Sequence, residues 1–395
     1  MANTGVQRGG WELWAIIALA IGSVATILGM PLIVGALEDH WGYSAAYAGY
    51  ITSIDLAGLF VGSVATSAWA SRVHWRRYVA SAIVLCCVMN VLCVWFHTLG
   101  VLSALRFGAG LASGVAYASS LTLLSRAPDT ARGFSILIFA QVVANAVVLA
   151  VFPAIDTSWG PGGLFVTIAA VMAATLIVVP RLPGRDPPRE TARSGSQAPV
   201  HTRTAATAIM SALCLGAVAL VYVAIGSYWA YAERMGITFG ISATVVHNLL
   251  TASVLFSTVG CFAAFRLSRS VGQSRPLLAA LGLLSVTLLI HSVGANPLMY
   301  VVTLGVLQVC WNVIDIFQLG TLAIVDPTGR AAALVPAAQG VALAVGPAAG
   351  GLALTVGRGY WAVLLVAGGA ATLATLCYSI VYAWHLRAAE IRTRS

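Results

Sequence analysis

RLPGRDPPRETARSGSQAPVHTR, residues 181–203, is the long polar interruption in an otherwise apolar chain. Its Pro, Ser and Arg content, with no apolar periodicity, marks a flexible linker. On either side the sequence is a succession of apolar runs, each long enough to cross a bilayer. A helical span needs about 20 apolar residues, because each residue rises about 1.5 Å across roughly 30 Å of hydrocarbon. Six runs precede the linker, near 13–37, 47–71, 78–97, 100–124, 133–155 and 162–179. Six follow it, near 207–232, 242–265, 276–294, 298–324, 331–356 and 360–384. The reading is an all-α polytopic membrane protein with twelve transmembrane helices. An N-terminal six-helix bundle occupies 1–180, a linker 181–206, and a C-terminal six-helix bundle 207–395.

Composition agrees with that class. Of 395 residues, 59% are apolar and 8% charged, and the mean hydropathy is +0.91. A soluble domain carries roughly a quarter of its residues as charges, so this surface is built for lipid rather than water. The net charge of +9 invites a nucleic-acid reading, but the positions of the charges point elsewhere. Every basic residue is Arg and none is Lys. Together with the Ala and Gly richness, this suggests a high-GC bacterial genome. The inner segments hold Arg8; Arg72, Arg76 and Arg77; Arg126 and Arg132; the Arg residues of 181–203; Arg266, Arg269 and Arg275; Arg330; and Arg387, Arg392 and Arg394. The outer loops hold Arg234 and Arg358, and Arg106 lies within a span. The positive-inside rule then places both termini in the cytoplasm of a bacterial inner membrane, and nucleic acid is not an expected partner. Residues 1–14 run into the first span without a small-residue cleavage site, so the first helix is read as uncleaved.

The halves look related. ARGFSILIFAQVVANAV, 131–147, aligns with GRAAALVPAAQGVALAV, 329–345, so that Arg132 matches Arg330 and Gln141 matches Gln339 at an offset of 198. Thr130 with Thr328, and Arg77 with Arg275, keep the same offset. Parallel halves of this kind build one large class of transporter. With the 6+6 split and basic linker, the whole chain resembles the major facilitator superfamily. The loop SRVHWRR, 71–77, resembles that superfamily's loop motif in its basic end, without the usual Gly and Asp. Arg106-Phe107-Gly108-Ala109-Gly110 resembles its Arg-containing motif in span four. Gly346-Pro347-Ala348-Ala349-Gly350-Gly351 in span eleven resembles an element that antiporters carry in span five, where this chain has Phe152-Pro153. WAYAERMG, 229–236, looks like a pattern of poorly characterised bacterial members. The resemblance implies that spans one, four, seven and ten line a central cavity.

An ionisable group near mid-membrane costs roughly 2.5–3.5 kcal/mol on insertion scales and persists where it faces protein or a wet cavity. Asp55 in span two and Arg106 in span four enter from the outer side to a similar depth and can pair. Arg106, Gly110, Ser113 and Tyr117 lie on one helix face. Arg106 either binds an anionic substrate or exchanges partners with a titrating carboxylate; the alternative is a static pair that fixes packing. Gln308, Asn312 and Asp315 share a face of span ten, either lining a cavity with Asp315 as a proton or cation site, or forming an interhelical ladder. Tyr222, Gly226, Trp229 and Glu233 share a face of span seven, as a substrate clamp or as part of the interfacial aromatic belt. Gln141 and Gln339 bind substrate or bridge helices. His247 and His291 are placed at the interface, at outer ends of spans eight and nine.

The function read from this is secondary active transport of a small organic molecule, an organic or aromatic acid, by alternating access with a proton as coupling ion. The alternative is proton-driven efflux of amphipathic cationic compounds; a membrane-embedded enzyme is the distant third. The chain has no Lys and so no P-loop, and no enzymatic nucleophile–base pair is evident. The candidate substrate-binding or proton-coupling residues are Asp55, Arg106, Tyr117, Gln141, Trp229, Glu233, Gln308, Asn312, Asp315 and Gln339. No catalytic residue, metal or cofactor is expected: the Cys residues lie in apolar runs and the His residues lack ligand spacing. The lipid bilayer and the substrate are the expected partners of a monomer.

Overall fold

In the computed structural model, the described residues are 4–69, 74–126, 129–182, 205–268, 272, 274–294, 296–326, 331–357 and 359–394; side chains are further undescribed at 4–11, 131, 205, 268, 333 and 386–394. Arg72, Arg269, Thr328, Arg330, Arg358 and linker residues 183–204 therefore lie outside the described residues, as do the side chains of Arg8, Arg387, Arg392 and Arg394. The described chain is α-helical, with short 3₁₀ turns and no β-strand. It divides into two compact units, Met1–Arg193 and Ser194–Ser395.

The first unit is built from α1 (Thr4–Ser23), α2 (Ala25–Leu28), α3 (Met30–Trp41), α4 (Ala45–Trp69), α5 (Trp75–Leu92), α6 (Leu99–Leu124) and α7 (Thr130–Ala174). The span expected over 13–37 is thus three helices in series, interrupted at Val24 and Gly29. Gly29 abuts α7 so closely that a Cβ there would lie 2.4 Å from the Phe152 ring, so the bend accommodates a neighbour. Spans five and six follow one another directly within the segment α7. It breaks at Gly160, whose φ of 58° and ψ of −160° only glycine adopts readily. Asp129 caps α7 by accepting from the Arg132 amide at 3.0 Å.

The second unit contains α8 (Ala205–Thr238), α9 (Ala243–Ser268), α10 (Ser274–Val293), α11 (Pro297–Val325), α12 (Val335–Gly357) and α13 (Tyr360–Arg394). α8 runs past the expected end of span seven at 232, so Arg234, expected in a loop, lies inside a helix and is buried. The first break after it is Gly240, with φ of 89°. Ten of the helices are long and apolar enough to cross a membrane by length and composition. Their flanks carry exposed large apolar side chains such as Phe139, Phe262 and Leu352. A surface of that kind is normal facing lipid and a liability facing water.

Each unit contains the same close crossing. In the first, α4 and α6 meet through Gly58, Gly62, Gly110 and Gly114. A Cβ at Gly62 would sit 2.0 Å from the Leu111 carbonyl oxygen, and one at Gly110 would sit 1.9 Å from that of Asp55. In the second, a Cβ at Gly260 on α9 would sit 2.3 Å from the Val309 carbonyl oxygen of α11. Gly62 and Gly260, and Leu111 and Val309, are both separated by 198 positions, the offset found in the sequence. Backbones this close make Cα–H···O contacts that a side chain would abolish.

Elsewhere α12 lies on α8 through its Gly-Pro element. Pro347 lacks the N–H that the Leu343 carbonyl would accept. The Gly346 and Pro347 carbonyls accept from Ser227 at 2.9 Å and Tyr231 at 2.8 Å.

Gly62→Ala and Gly260→Ala are each expected to destabilise the purified protein by about 1–3 kcal/mol. Gly282→Ala, whose Cβ would meet nothing within 4 Å, leaves it unchanged or slightly stabler. Thermal unfolding in detergent reads the difference.

Candidate functional site

The structure brings Asp55 and Arg106 together. Asp55 lies a few turns into α4 and Arg106 two turns into α6, each on the order of 10–15 Å along its helix. The glycine crossing holds the backbones at contact, and an Arg106 terminal nitrogen reaches Asp55 Oδ2 at 3.0 Å. Arg106 is 2% exposed and Asp55 4%, so the pair is withdrawn from solvent. The guanidinium makes two further hydrogen bonds: Nη1 donates to Asn90 Oδ1 at 2.7 Å and Nη2 to Thr26 Oγ1 at 3.2 Å. Phe165 closes the face of the guanidinium, 4.7 Å from its ring centroid. Asn90 is itself fixed through its amide, which donates to the Cys86 carbonyl at 2.9 Å. Asp55 differs in one respect. Its Oδ1 has no hydrogen-bond partner among the described residues.

Thr26, Asn90 and Phe165 were missed by sequence reading. Thr26 sits on α2, between the two breaks of the first span, where a continuous helix was expected. Asn90 offered the available signal: a lone amide in the apolar run VLCCVMNVL, 84–92. Phe165 gave none, because one more Phe in an apolar helix carries no information. Further along α6, Ser113 faces Cys86 at 3.4 Å, and the Tyr117 hydroxyl accepts from Gln141 on α7 at 3.4 Å. The predicted stripe on α6 thus packs against four different helices of its own unit, α2, α4, α5 and α7.

The second unit holds two clusters. Asp315 on α11 accepts from the Tyr222 hydroxyl at 2.9 Å and from Gln318 at 2.7 Å, and Trp311 packs edge-on against Tyr222 with centroids 6.3 Å apart. Among the described residues no cation pairs with it. Gln308 and Asn312 turn towards α9, donating to Ser253 at 3.5 Å and to the Ser257 carbonyl at 3.2 Å. Those contacts are the interhelical ladder. They occupy positions 198 after Gly110 and Gly114, so amides stand where the first unit has glycines. Gln339 lies half-buried on α12, and Trp229 is buried on α8.

The other cluster surrounds Glu233. Its two carboxylate oxygens contact Arg234 Nε at 3.1 Å and His247 Nε2 at 3.0 Å. His247 is bound to Glu233, and His291 is fully buried against Phe239. Glu233, which meets His247, is carried there by the extended end of α8.

The family model of the Major Facilitator Superfamily matches residues 14–325. The chain belongs to the major facilitator superfamily. Solved structures agree in fold. A D-xylose-proton symporter superimposes with a TM-score of 0.71 at 15% identity, over 94% of this chain and 96% of that one. A mutant of the peptide transporter POT in complex with sulfate gives 0.74 at 13% identity, over 95% and 94%. A probable chloroplastic anion transporter of Arabidopsis thaliana is 31% identical over 147 residues, 36% of this chain. The match spans 29% of that relative's length. The protein is a multi-pass membrane protein of a transporter superfamily.

In this transporter Asp55 and Arg106 stabilise one another and are costly apart. Asp55→Ala and Arg106→Ala are each expected to lower stability by about 3–5 kcal/mol, because each strands a buried charge. The double variant recovers most of the loss. A double-mutant cycle by chemical unfolding in detergent measures the coupling.

Proposed function

We propose that this transporter is a proton-coupled carrier of a small organic or aromatic acid, in which the Asp55–Arg106 pair is the exchange point. The observation that carries the proposal is the asymmetry of that pair: Arg106 holds three polar partners, whereas Asp55 Oδ1 has none among the described residues. A proton adds to Oδ1 without breaking an existing hydrogen bond. Neutral Asp55 no longer compensates the guanidinium, and a substrate carboxylate takes the vacated position. Arg suits that role because its planar fork meets a carboxylate with two parallel bonds. On release of the substrate, Asp55 gives up its proton and re-pairs. One proton and one monocarboxylate travel together, so the cycle moves no net charge.

The printed names of the D-xylose-proton symporter and the anion transporter support proton coupling and an anionic substrate by similarity. The distribution of Arg supports a bacterial inner-membrane location with both termini cytoplasmic. Two six-helix halves joined by the linker 181–206, working by alternating access as a monomer, complete the reading.

A second reading rests on Asp315. A carboxyl bonded to a phenol and an amide, beside Trp311 and with no cation paired to it among the described residues, suits an amphipathic organic cation. In that case the cargo is cationic and its export is driven by protons.

In proteoliposomes, a proton gradient is expected to drive accumulation of an aromatic monocarboxylate such as benzoate, with no response to membrane potential. Asp55→Asn should abolish gradient-driven accumulation, and Arg106→Lys should weaken benzoate affinity by about tenfold or more. Accumulation that persists in Asp55→Asn contradicts the exchange mechanism. Proton-driven movement of a lipophilic cation, lost in Asp315→Asn, favours the second reading.

A further inference from the structure

The last turns of α8 gather buried polar groups that the exchange mechanism does not use. Tyr228 on α8, His291 on α10, and Tyr300 and Thr303 on α11 are each 0% exposed. The two phenol oxygens, the Thr303 hydroxyl and both His291 ring nitrogens have no hydrogen-bond partner among the described residues. Buried polar atoms in folded proteins are nearly always bonded, to protein or to ordered water. Five orphaned atoms in one region are therefore a signal.

They are also contiguous with Glu233. Tyr300 lies against Gly236, where an added Cβ would be 2.8 Å from Cζ, the atom that carries the hydroxyl. The Tyr300 phenol lies within electrostatic reach of both Tyr228 and Glu233. Glu233 in turn contacts His247, whose side chain is 20% exposed and so connects the buried group to the surroundings. The charged and titratable groups facing this region are Glu233, Arg234 and Tyr228 from α8, His247 from α9, His291 from α10 and Tyr300 from α11. Tyr360 of α13 stands one ring further off, beside Tyr231.

We infer that Tyr228, Tyr300 and Glu233 enclose a hydration site, and that water held there exchanges protons with the Glu233–His247 pair. A buried water makes about three hydrogen bonds, and two phenols and a carboxylate supply that number. The two phenols donate or accept as the water requires, and Glu233 accepts. A proton on His247 Nε2 crosses the 3.0 Å contact to Glu233 Oε1, leaving a neutral imidazole. Glu233 then passes a proton to the water as the water returns one of its own to the carboxylate, so every bond to hydrogen that breaks is matched by one that forms and no net proton moves. Arg234 holds the second carboxylate oxygen and keeps Glu233 in place. This site is separate from the Asp55–Arg106 pair and independent of which substrate the transporter carries.

The test is infrared difference spectroscopy of the full-length protein in lipid nanodiscs, between acidic and neutral pH, in ordinary and 18O-labelled water. The wild-type protein should show an O–H stretching band of enclosed water that shifts with the isotope. Tyr228→Phe and Tyr300→Phe should lose it, whereas Asp55→Asn should keep it. Absence from the wild type, or persistence in both Tyr variants, overturns the inference. Thermal unfolding gives a second arm. A phenol that binds water loses a hydrogen bond on conversion to Phe, lowering the midpoint by about 1–4 °C. A phenol with no partner gains, so an unchanged or raised midpoint also overturns the inference. Both arms are read without transport, so they stand or fall apart from the organic-acid reading.

Discussion

Contact between the backbones of α4 and α6 sets the distances on which the site depends. Ordinary helices keep their axes 8–10 Å apart, with side chains interleaved between them. Gly58, Gly62, Gly110 and Gly114 remove the side chains at the crossing, and each faces a carbonyl of the opposing helix. Gly110 faces the Asp55 carbonyl itself, one helical turn from Arg106. The crossing that brings the helices together therefore also delivers the carboxylate to the guanidinium. In a bilayer, where lipid tails are as apolar as any side chain, such close packing and the polar contacts it permits hold helices together.

The two units solve the same packing problem with different chemistry. At positions 198 apart, Gly62 and Gly260 make equivalent contacts with Leu111 and Val309. Around that fixed point the side chains diverge. Asp55 corresponds to Ser253 and Arg106 to Leu304, while Gly110 and Gly114 correspond to Gln308 and Asn312. The first unit places a charge pair at the crossing; the second places an amide ladder there and carries its carboxylates elsewhere, at Asp315 and Glu233.

The fold was largely legible because it is written in composition and run length. The apolar runs and the 198 offset, which reappears in the Gly62 and Gly260 contacts, needed no tertiary information. The pairing of Asp55 with Arg106 was legible too, since a lone buried acid and base at similar depth have strong reason to meet. What escaped was set by tertiary packing. The break at Gly29 accommodates Phe152, over a hundred residues away, and its one local mark is Pro31 in the first turn of α3. The extension of α8 to Thr238 carried Arg234 into a helix, where hydropathy had ended the span earlier. The direction in which Gln308 and Asn312 point depends on α9, and a helical wheel gives the shared face without saying what it faces.

The central claim is that a substrate carboxylate replaces Asp55 on Arg106 as Asp55 takes up a proton. Calorimetric titration of the purified transporter with benzoate, repeated in buffers of different ionisation enthalpy, measures that proton directly. Uptake of close to one proton per bound benzoate by the wild-type protein, and of none by Asp55→Asn, is the predicted result. Binding without proton uptake in the wild type, or uptake undiminished in Asp55→Asn, would contradict it.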